Sequence, residues 1–357
     1  MSPPFLRAGL QLLALLWLLG TQLTTACAEG LNEAEVPVAG QDAVARSAAA
    51  ADALAKVFVK TSGSRRVLDN PVVAAALRDA DRLLVQFYFT RLEYPARSDG
   101  PTEELGLHAV FSPQAVASVL QRAGEPLLPP NRPVTLLWLA IDDGAATGPR
   151  LLDRDTDAVL GAWLQFHAAQ RGLVLRFPEM DMQDSMAVDV AQVWALDAPA
   201  LGAASARYGA GPMLLAKLVA RPDGPLSGEW LYLDGEQESA GQGAAASVEA
   251  LAAEAVGFAA EAIAVRYAVR ADESQGEQLR VRIDGLDAFR AYYRVYRQLR
   301  EMKSVHRVQL ALVDRDAFFF DLTTASDLET VLRELSLLPQ LQPLGDATEA
   351  HYRWSGS

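Results

Sequence analysis

The chain has 357 residues, half of them apolar, with a formal net charge of −13 at pH 7. That length allows two or three folded units with cores of ordinary size. The acidity argues against nucleic acid, and against anionic lipid for the chain as a whole, since both need clustered Lys and Arg.

Residues 1–28 read as a bacterial Sec signal peptide. Arg7 precedes a solid apolar run over 12–19, Gly20 breaks it, and a small polar stretch ends in Ala26-Cys27-Ala28. The run is too short for a permanent span of about 20 residues. No other stretch approaches that length, so no transmembrane helix is expected in the mature chain. The expected location is the periplasm. Cys27 is the one cysteine, and Leu23-Thr24-Thr25-Ala26-Cys27 also fits a loose lipobox, with Thr24 where the best examples carry Leu. Cleavage after Ala28 is the favoured reading. The alternative acylates Cys27 and gives an outer-membrane lipoprotein. No structural disulfide is available on either route.

An N-terminal α+β module is expected over 29–128. Residues 33–38 alternate as a strand, and 41–60 carry apolar residues at helical spacing. Thr61-Ser62-Gly63-Ser64-Arg65-Arg66 follows that helix as a cap and exposed loop, so no helix N-terminus aims it at a phosphate. The β-prone run 83–89 should pair with 106–111. Ser112 and Pro113 open a helix. A central α/β module is expected over 129–270, entered through the proline-rich loop 125–133. Residues 134–141 form an apolar run of the kind buried on both sheet faces. A helix over 156–170 and a strand over 173–177 complete a βαβ unit. Helices around 186–193 and 198–208, strands over 213–219 and 229–233, a turn at Pro222-Asp223-Gly224-Pro225, a loop over 235–246 and a long helix over 247–267 follow.

The C-terminal module, 277–345, reads as βαββα, the order of a ferredoxin-like half-sandwich. Its first helix is expected to begin at Asp287 and to bury Phe289, Tyr292, Tyr293, Tyr296 and Leu299. A capping box of Ser326 and Glu329 is expected to open its second helix. A short strand over 340–344 is expected at its end, and residues 346–357 read as a tail. The fold class is therefore mixed α/β and α+β in three small modules, the central one a βαβ-type mixed sheet.

Strong catalytic motifs are missing. His108, His167, His306 and His351 show no ligand spacing, and nucleophile elbows, dinucleotide fingerprints and Walker loops do not occur. No cofactor is expected. The candidates for chemistry are Asp142 and Asp143, directly after the buried strand, and Asp181 and Asp184, after the next one. In a parallel sheet both loops emerge at the carboxyl edge, where carboxylates hold a divalent cation or act as an acid/base pair.

Several stretches together resemble a known family. They are Ala34-Glu35-Val36-Pro37-Val38 with Val57-Phe58-Val59-Lys60-Thr61-Ser62-Gly63, then Asn131-Arg132-Pro133 leading into Leu136-Leu137-Trp138-Leu139-Ala140. Arg171-Gly172-Leu173, Met180-Asp181, Val193-Trp194 and Ala206-Arg207-Tyr208-Gly209-Ala210 complete the series. Their order is similar to that of the bacterial domain-of-unknown-function family 2066. The resemblance implies an exported Gram-negative protein and assigns no catalytic residue. The expected role is a non-enzymatic scaffold or interaction protein of the cell envelope, with an envelope protein as partner. A metal-dependent enzyme or ligand binder built on the four aspartates is the alternative.

Overall fold

The computed structural model describes residues 30–96, 102–153, 155–209, 211–220, 224–270, 278–324, 326–344 and 350–356. The signal reading, Cys27 and the first half of the turn at Pro222 lie outside the described residues. The fold is mixed α/β with three separate sheets.

The first sheet is built from β1 (Glu33–Pro37), β2 (Leu84–Glu93) and β3 (Glu103–Phe111), ordered β1-β3-β2 with antiparallel neighbours. Helix α1 (Ala43–Ser62) lies on one face, its first turn held by the Asp42 carboxylate accepting from Val44 and Ala45. Leu54, Val57 and Phe58 pack there against Val36, Leu107 and Phe111, all buried. Helices α2 (Pro71–Leu77) and α3 (Pro113–Arg122) close the same core, with Ser112 capping α3.

The second sheet is mixed. Its members are β4 (Val134–Asp142), β5 (Arg150–Leu151), β6 (Val174–Arg176), β7 (Met213–Val219), β8 (Leu226–Asp234) and β9 (Gln237–Ala245). Strand β4 pairs in parallel with β6 and β7, which is the expected crossover. Alternate β4 residues feed opposite faces. Leu137, Leu139 and Ile141 face α4 (Ala158–Arg171) and α8 (Val248–Tyr267). Leu136, Trp138 and Ala140 face the other layer, which holds α5 (Met182–Ala187), α6 (Val190–Trp194) and α7 (Ala198–Ser205). Burial on both faces explains the uninterrupted apolar run. Trp138 Nε1 donates to Ser205 Oγ at 2.8 Å and so fixes α7 to the strand.

One segment read as a loop is a strand. β9 pairs with β8 along its length. Its glycines make room for large neighbours: a Cβ at Gly241 would lie 2.6 Å from Trp230 Nε1, and one at Gly243 2.8 Å from Trp230 Cη2. Glycine here signals a close approach of backbone to indole, where its composition suggests a turn.

The third sheet contains β10 (Gln278–Asp284), β11 (Val305–Asp314), β12 (Ala317–Thr324), β13 (Leu341–Pro343) and β14 (His351–Trp354), ordered β11-β12-β10-β14-β13. Helices α9 (Phe289–Glu301) and α10 (Leu328–Ser336) cover one face. The βαββα order stands as expected. The expected tail is instead partly a strand: β14 enters between β10 and β13 and buries Tyr352 and Trp354. Two caps also differ. Helix α9 starts at Phe289, and Ala288 supplies its cap position with no side-chain bond. Asp327 caps α10 by accepting from Thr330, while Ser326 Oγ donates to the Arg270 carbonyl.

The first and second units meet where two helices end. α1 and α4 stop on left-handed glycines, Gly63 at φ +83° and Gly172 at φ +64°. Buried cations donate to carbonyls here, two of them at the end of α1. Arg132 donates to the Lys60 carbonyl at 2.9 Å and to the Pro129 carbonyl at 2.7 Å. Arg171 donates to the Gly63 carbonyl at 2.9 Å and to Glu261 at 3.3 Å. Lys60, itself buried, donates to the Glu33 carbonyl at 3.0 Å. Burial, then the charge of Arg171, pulls the Arg132 guanidinium below its ordinary value.

A Cβ at Gly63 would sit 2.6 Å from Ala264 Cβ, whereas Gly124, at φ +69°, has open space around it. Gly63→Ala should cost roughly 3 kcal/mol, from backbone strain plus overlap, and Gly124→Ala about 1 kcal/mol, from strain alone. Urea unfolding of both variants measures the difference. His167 stacks on Trp163 at 5.5 Å with its Nε2 buried. Burial lowers its pKa to about 4. The neutral ring is therefore the folded form, while the unfolded chain takes up a proton near the ordinary value of about 6.5. Its contribution is complete above that value and is lost as pH falls toward 4, on the order of 2 kcal/mol. His167→Phe should flatten that part of the stability profile relative to the unsubstituted chain.

Candidate functional site

The four aspartates separate into two pairs, with Asp143 tied to Arg150 and both Asp181 and Asp184 tied to Arg207. Asp142 ends β4 and accepts from the Gly144 N–H at 2.9 Å. Asp143 accepts from the Ala145 N–H at 3.0 Å and from Arg150 Nε at 3.0 Å. Arg150 also grips Asp157 with both terminal nitrogens, at 2.6 and 2.8 Å. The Ala145 N–H, then Arg150, hold the Asp143 carboxyl below its usual value. This is an Asp turn locked by a guanidinium.

Asp181 caps α5 and meets Arg207 in a two-pronged contact, both bonds 2.7 Å. Asp184 is buried and accepts from the Met180 N–H at 2.9 Å, from Arg207 at 2.9 Å and from the Tyr208 hydroxyl. That hydroxyl in turn accepts from the Glu179 N–H at 2.9 Å. Arg207 holds Asp181 well below the usual carboxylate range, and Asp181 raises Arg207 in return. The pair forms a satisfied latch that pins the segment before α5 to the one before β7. Among the described residues, no group of three or more His, Cys, Asp or Glu side chains is placed to hold a metal ion. Asp142 and Asp143 therefore do not join Asp181 and Asp184 in one site.

A constellation that spacing does not reveal lies on the outer face of the first sheet. Cross-strand register places Glu35, His108 and Tyr88 side by side. His108 Nδ1 is 3.0 Å from Glu35, its Nε2 is 3.5 Å from Glu33, and Tyr88 stacks on the ring at 4.5 Å. Burial, with Glu35 and Glu33 adding to it, raises the Tyr88 hydroxyl. Both imidazole nitrogens are occupied, so the group ties strands together and offers no ring nitrogen to a ligand. A cleft of about 700 Å³ opens between α1, α8 and α10, bordered by Ser64, Arg66, Glu261, Val265, Arg270 and Asp327. Its carboxylates Glu261 and Asp327 already accept from Arg171 and Thr330.

The remaining candidate is the free edge of the third sheet. β11 ends the strand order and pairs with β12 on one side. The stretch Gln309-Leu310-Ala311-Leu312-Val313 carries no charge and no proline. Leu310, Leu312 and Val313 are 40, 56 and 46% exposed. A register shift between Leu310 and Leu312 spreads them over both faces. Leu310 lies opposite buried Phe320 on the helix face, and Leu312 lies opposite Phe319, over which Arg282 sits on the open face. Beside this edge the expected aromatic core is incomplete. Tyr292 packs on Phe318 and Phe320, but Phe289 is 79% exposed and Tyr293 55%. Helical spacing put both inside. The face of α9 turned to the core centres on Tyr292, Val295 and Leu299, which leaves Phe289 and Tyr293 together on its exposed flank.

The family described as Domain of unknown function (DUF8605) matches residues 26–129. The matched span carries the first sheet and its helices and stops before β4. This overturns the resemblance to family 2066, since the matching family is a different one. The stretches behind that resemblance are short strand and helix patterns, which recur wherever a strand precedes an amphipathic helix and so specify little. No curated protein and no solved structure matches the chain.

The latch around Asp184 is structural, which sets two expectations. Asp184→Asn should destabilise the protein by roughly 2 kcal/mol, because it weakens charge-assisted bonds to Arg207 in a buried setting. Millimolar Mg²⁺ or Ca²⁺ should leave the melting temperature of the unsubstituted protein in place. A rise that Asp142→Asn abolishes would restore the metal-site reading.

Proposed function

We propose that the chain is a non-catalytic interaction or scaffold protein of the cell envelope, acting in the periplasm after export and docking a partner by strand addition to β11. On this reading the mature chain begins at Glu29, or at an acylated Cys27. The observation that carries the proposal is the uncharged stretch 309–313 of the β11 edge, between Arg307 and Asp314, with Leu310, Leu312 and Val313 exposed. Long apolar edges invite pairing, and proteins normally blunt them with charges, prolines or a covering element. Strand addition is a common way for extended segments to bind.

Another long edge, β2, supports the choice by contrast. It too exposes aromatic residues, but Tyr88 is stacked on His108, and Phe87 lies under Arg46 at 5.2 Å and against Phe89 at 6.1 Å. Its apolar surface is largely occupied from within. Asp143, Asp181 and Asp184, bound to Arg150 and Arg207, favour a structural over a catalytic role.

A photo-crosslinking residue at Leu312, introduced in producing cells, should give a discrete protein adduct. The same residue at Val159, a comparably exposed helix position at 45%, should give none. Leu310→Lys should remove the adduct by charging the edge. Adducts of equal yield at both positions, or none at Leu312, would sink the proposal.

A further inference from the structure

The β11 edge and the adjoining flank of α9 form a groove, and we infer that it takes an extended peptide segment of a partner protein, with apolar side chains toward one end and carboxylates toward the other. This rests on the proposed docking at β11 and names what the partner strand carries.

The flank is identified by the helix's own contacts. Gln298 Nε2 donates to Gln340 Oε1 at 2.9 Å, so that side of α9 faces α10 and β13. Phe289, Tyr293, Tyr296 and Arg300 follow at intervals of four, three and four residues. They form one stripe on the side of the helix away from Gln298. Among the elements of this unit, what lies on that side is the β11 edge.

Direction then orders the stripe. β10 and β11 both run antiparallel to β12, so they point the same way and α9 returns between them. The start of α9 therefore lies over the end of β11. Tyr292 packs on Phe318, whose register partner is Val313. At the other end, Leu299 and Met302 share a core with Val305 and Val308. A strand laid beside β11 would turn alternate side chains toward the helix. Near Leu310 and Val313 these would meet Phe289 and Tyr293. Near Val305 they would meet Arg300, with Arg297 next to it on the helix.

Charge complementarity points to carboxylates at that second end. Helix α9 has four arginines, Arg290, Arg294, Arg297 and Arg300, against Glu301. Residues 278–356 hold 11 Lys and Arg and 11 Asp and Glu, so the net charge of −13 lies elsewhere in the chain. Among the described residues Arg300 has no carboxylate partner, and its guanidinium lies 5.9 Å over the Tyr296 ring. An apolar shelf beside an unpaired guanidinium suits a segment that is both apolar and acidic. A short extended peptide presents apolar side chains and carboxylates along one edge, which makes a peptide the occupant.

The test uses the full mature chain and two fluorescent peptides of about nine residues, a usual strand length. One has Leu at two alternate positions toward one end and Glu at two toward the other, with Thr between. Its twin carries Lys in place of Glu, and both are made in either order. Anisotropy should show the acidic peptide binding roughly tenfold tighter than its twin, a difference of about 1.4 kcal/mol. Arg297→Glu with Arg300→Glu should reverse that preference, and Tyr293→Ala should weaken both peptides. Twins that bind alike, failure of both to bind, or sedimentation of the chain with phosphatidylglycerol vesicles without peptide binding would each overturn the inference. If the Leu312 adduct persists in those cases, the docking edge survives and only the partner chemistry falls. If the adduct is also absent, the docking proposal falls with it.

Discussion

Two helices end against each other at the junction of the first and second units, and the unpaired carbonyls there decide much of what surrounds them. A helix C-terminus presents four carbonyls with no partner in the helix and a partial negative charge. At Gly63 the end of α1 is turned into the interior against the end of α4, which would be costly without donors. Arg132 and Arg171 are those donors, to the Lys60 and Gly63 carbonyls, and the Leu128 N–H reaches the Thr61 carbonyl at 2.8 Å, while Lys60 itself donates to the Glu33 carbonyl of β1. The cations in turn could not be buried without the carbonyls. This mutual need explains why the proline-rich loop after α3 is stiff and specific. It carries Leu128, Pro129 and Arg132 to the same place, and Leu127 bridges to Val269 beyond α8.

The central sheet shows a second kind of dependence, between large and small side chains. Trp230 lies across β9 because Gly241 and Gly243 have no side chains to stop it, and Phe258 of α8 approaches Gly241 from the same side. Aromatic burial contributes most to such a layer. The glycines weaken their own strand to permit it. The aspartate centres work differently. Arg150 and Arg207 each collect two carboxylates from segments that turn back on themselves, so acidity on the page of the sequence becomes loop geometry in the fold.

Much of this architecture could be read from the residues. The alternation in 33–38, the helix face of 41–60, the two-sided burial of 134–141 and the βαββα order all reflect local patterns that burial obeys. Where the reading failed, the deciding contact was distant in sequence. Nothing local in 237–245 announces Trp230, and nothing in 351–354 announces that β10 needs a parallel neighbour. The His108 cluster comes from strand register, and no spacing encodes that. Phe289 and Tyr293 have the right period for a core, yet the buried face of the helix centres on Val295 and Leu299 and leaves them beyond its edge. The same period therefore concealed the surface on which the functional proposal rests.

The placement of β14 has a consequence for how the chain is completed. Elements emerge in order, from synthesis or from passage through a membrane, and β10, β11 and β12 can pair as soon as they are out. β13 cannot join them, because its place beside β10 is filled by a strand that follows it. Until residues 351–354 arrive, the third sheet is an open three-stranded piece with Arg282, Ile283 and Asp284 short of a neighbour. The sheet is thus completed by a strand that follows its own outer neighbour in the chain, like a drawstring pulled after the cloth is folded. A proofreading step that senses exposed strand edges would see this unit as unfinished until β14 is in.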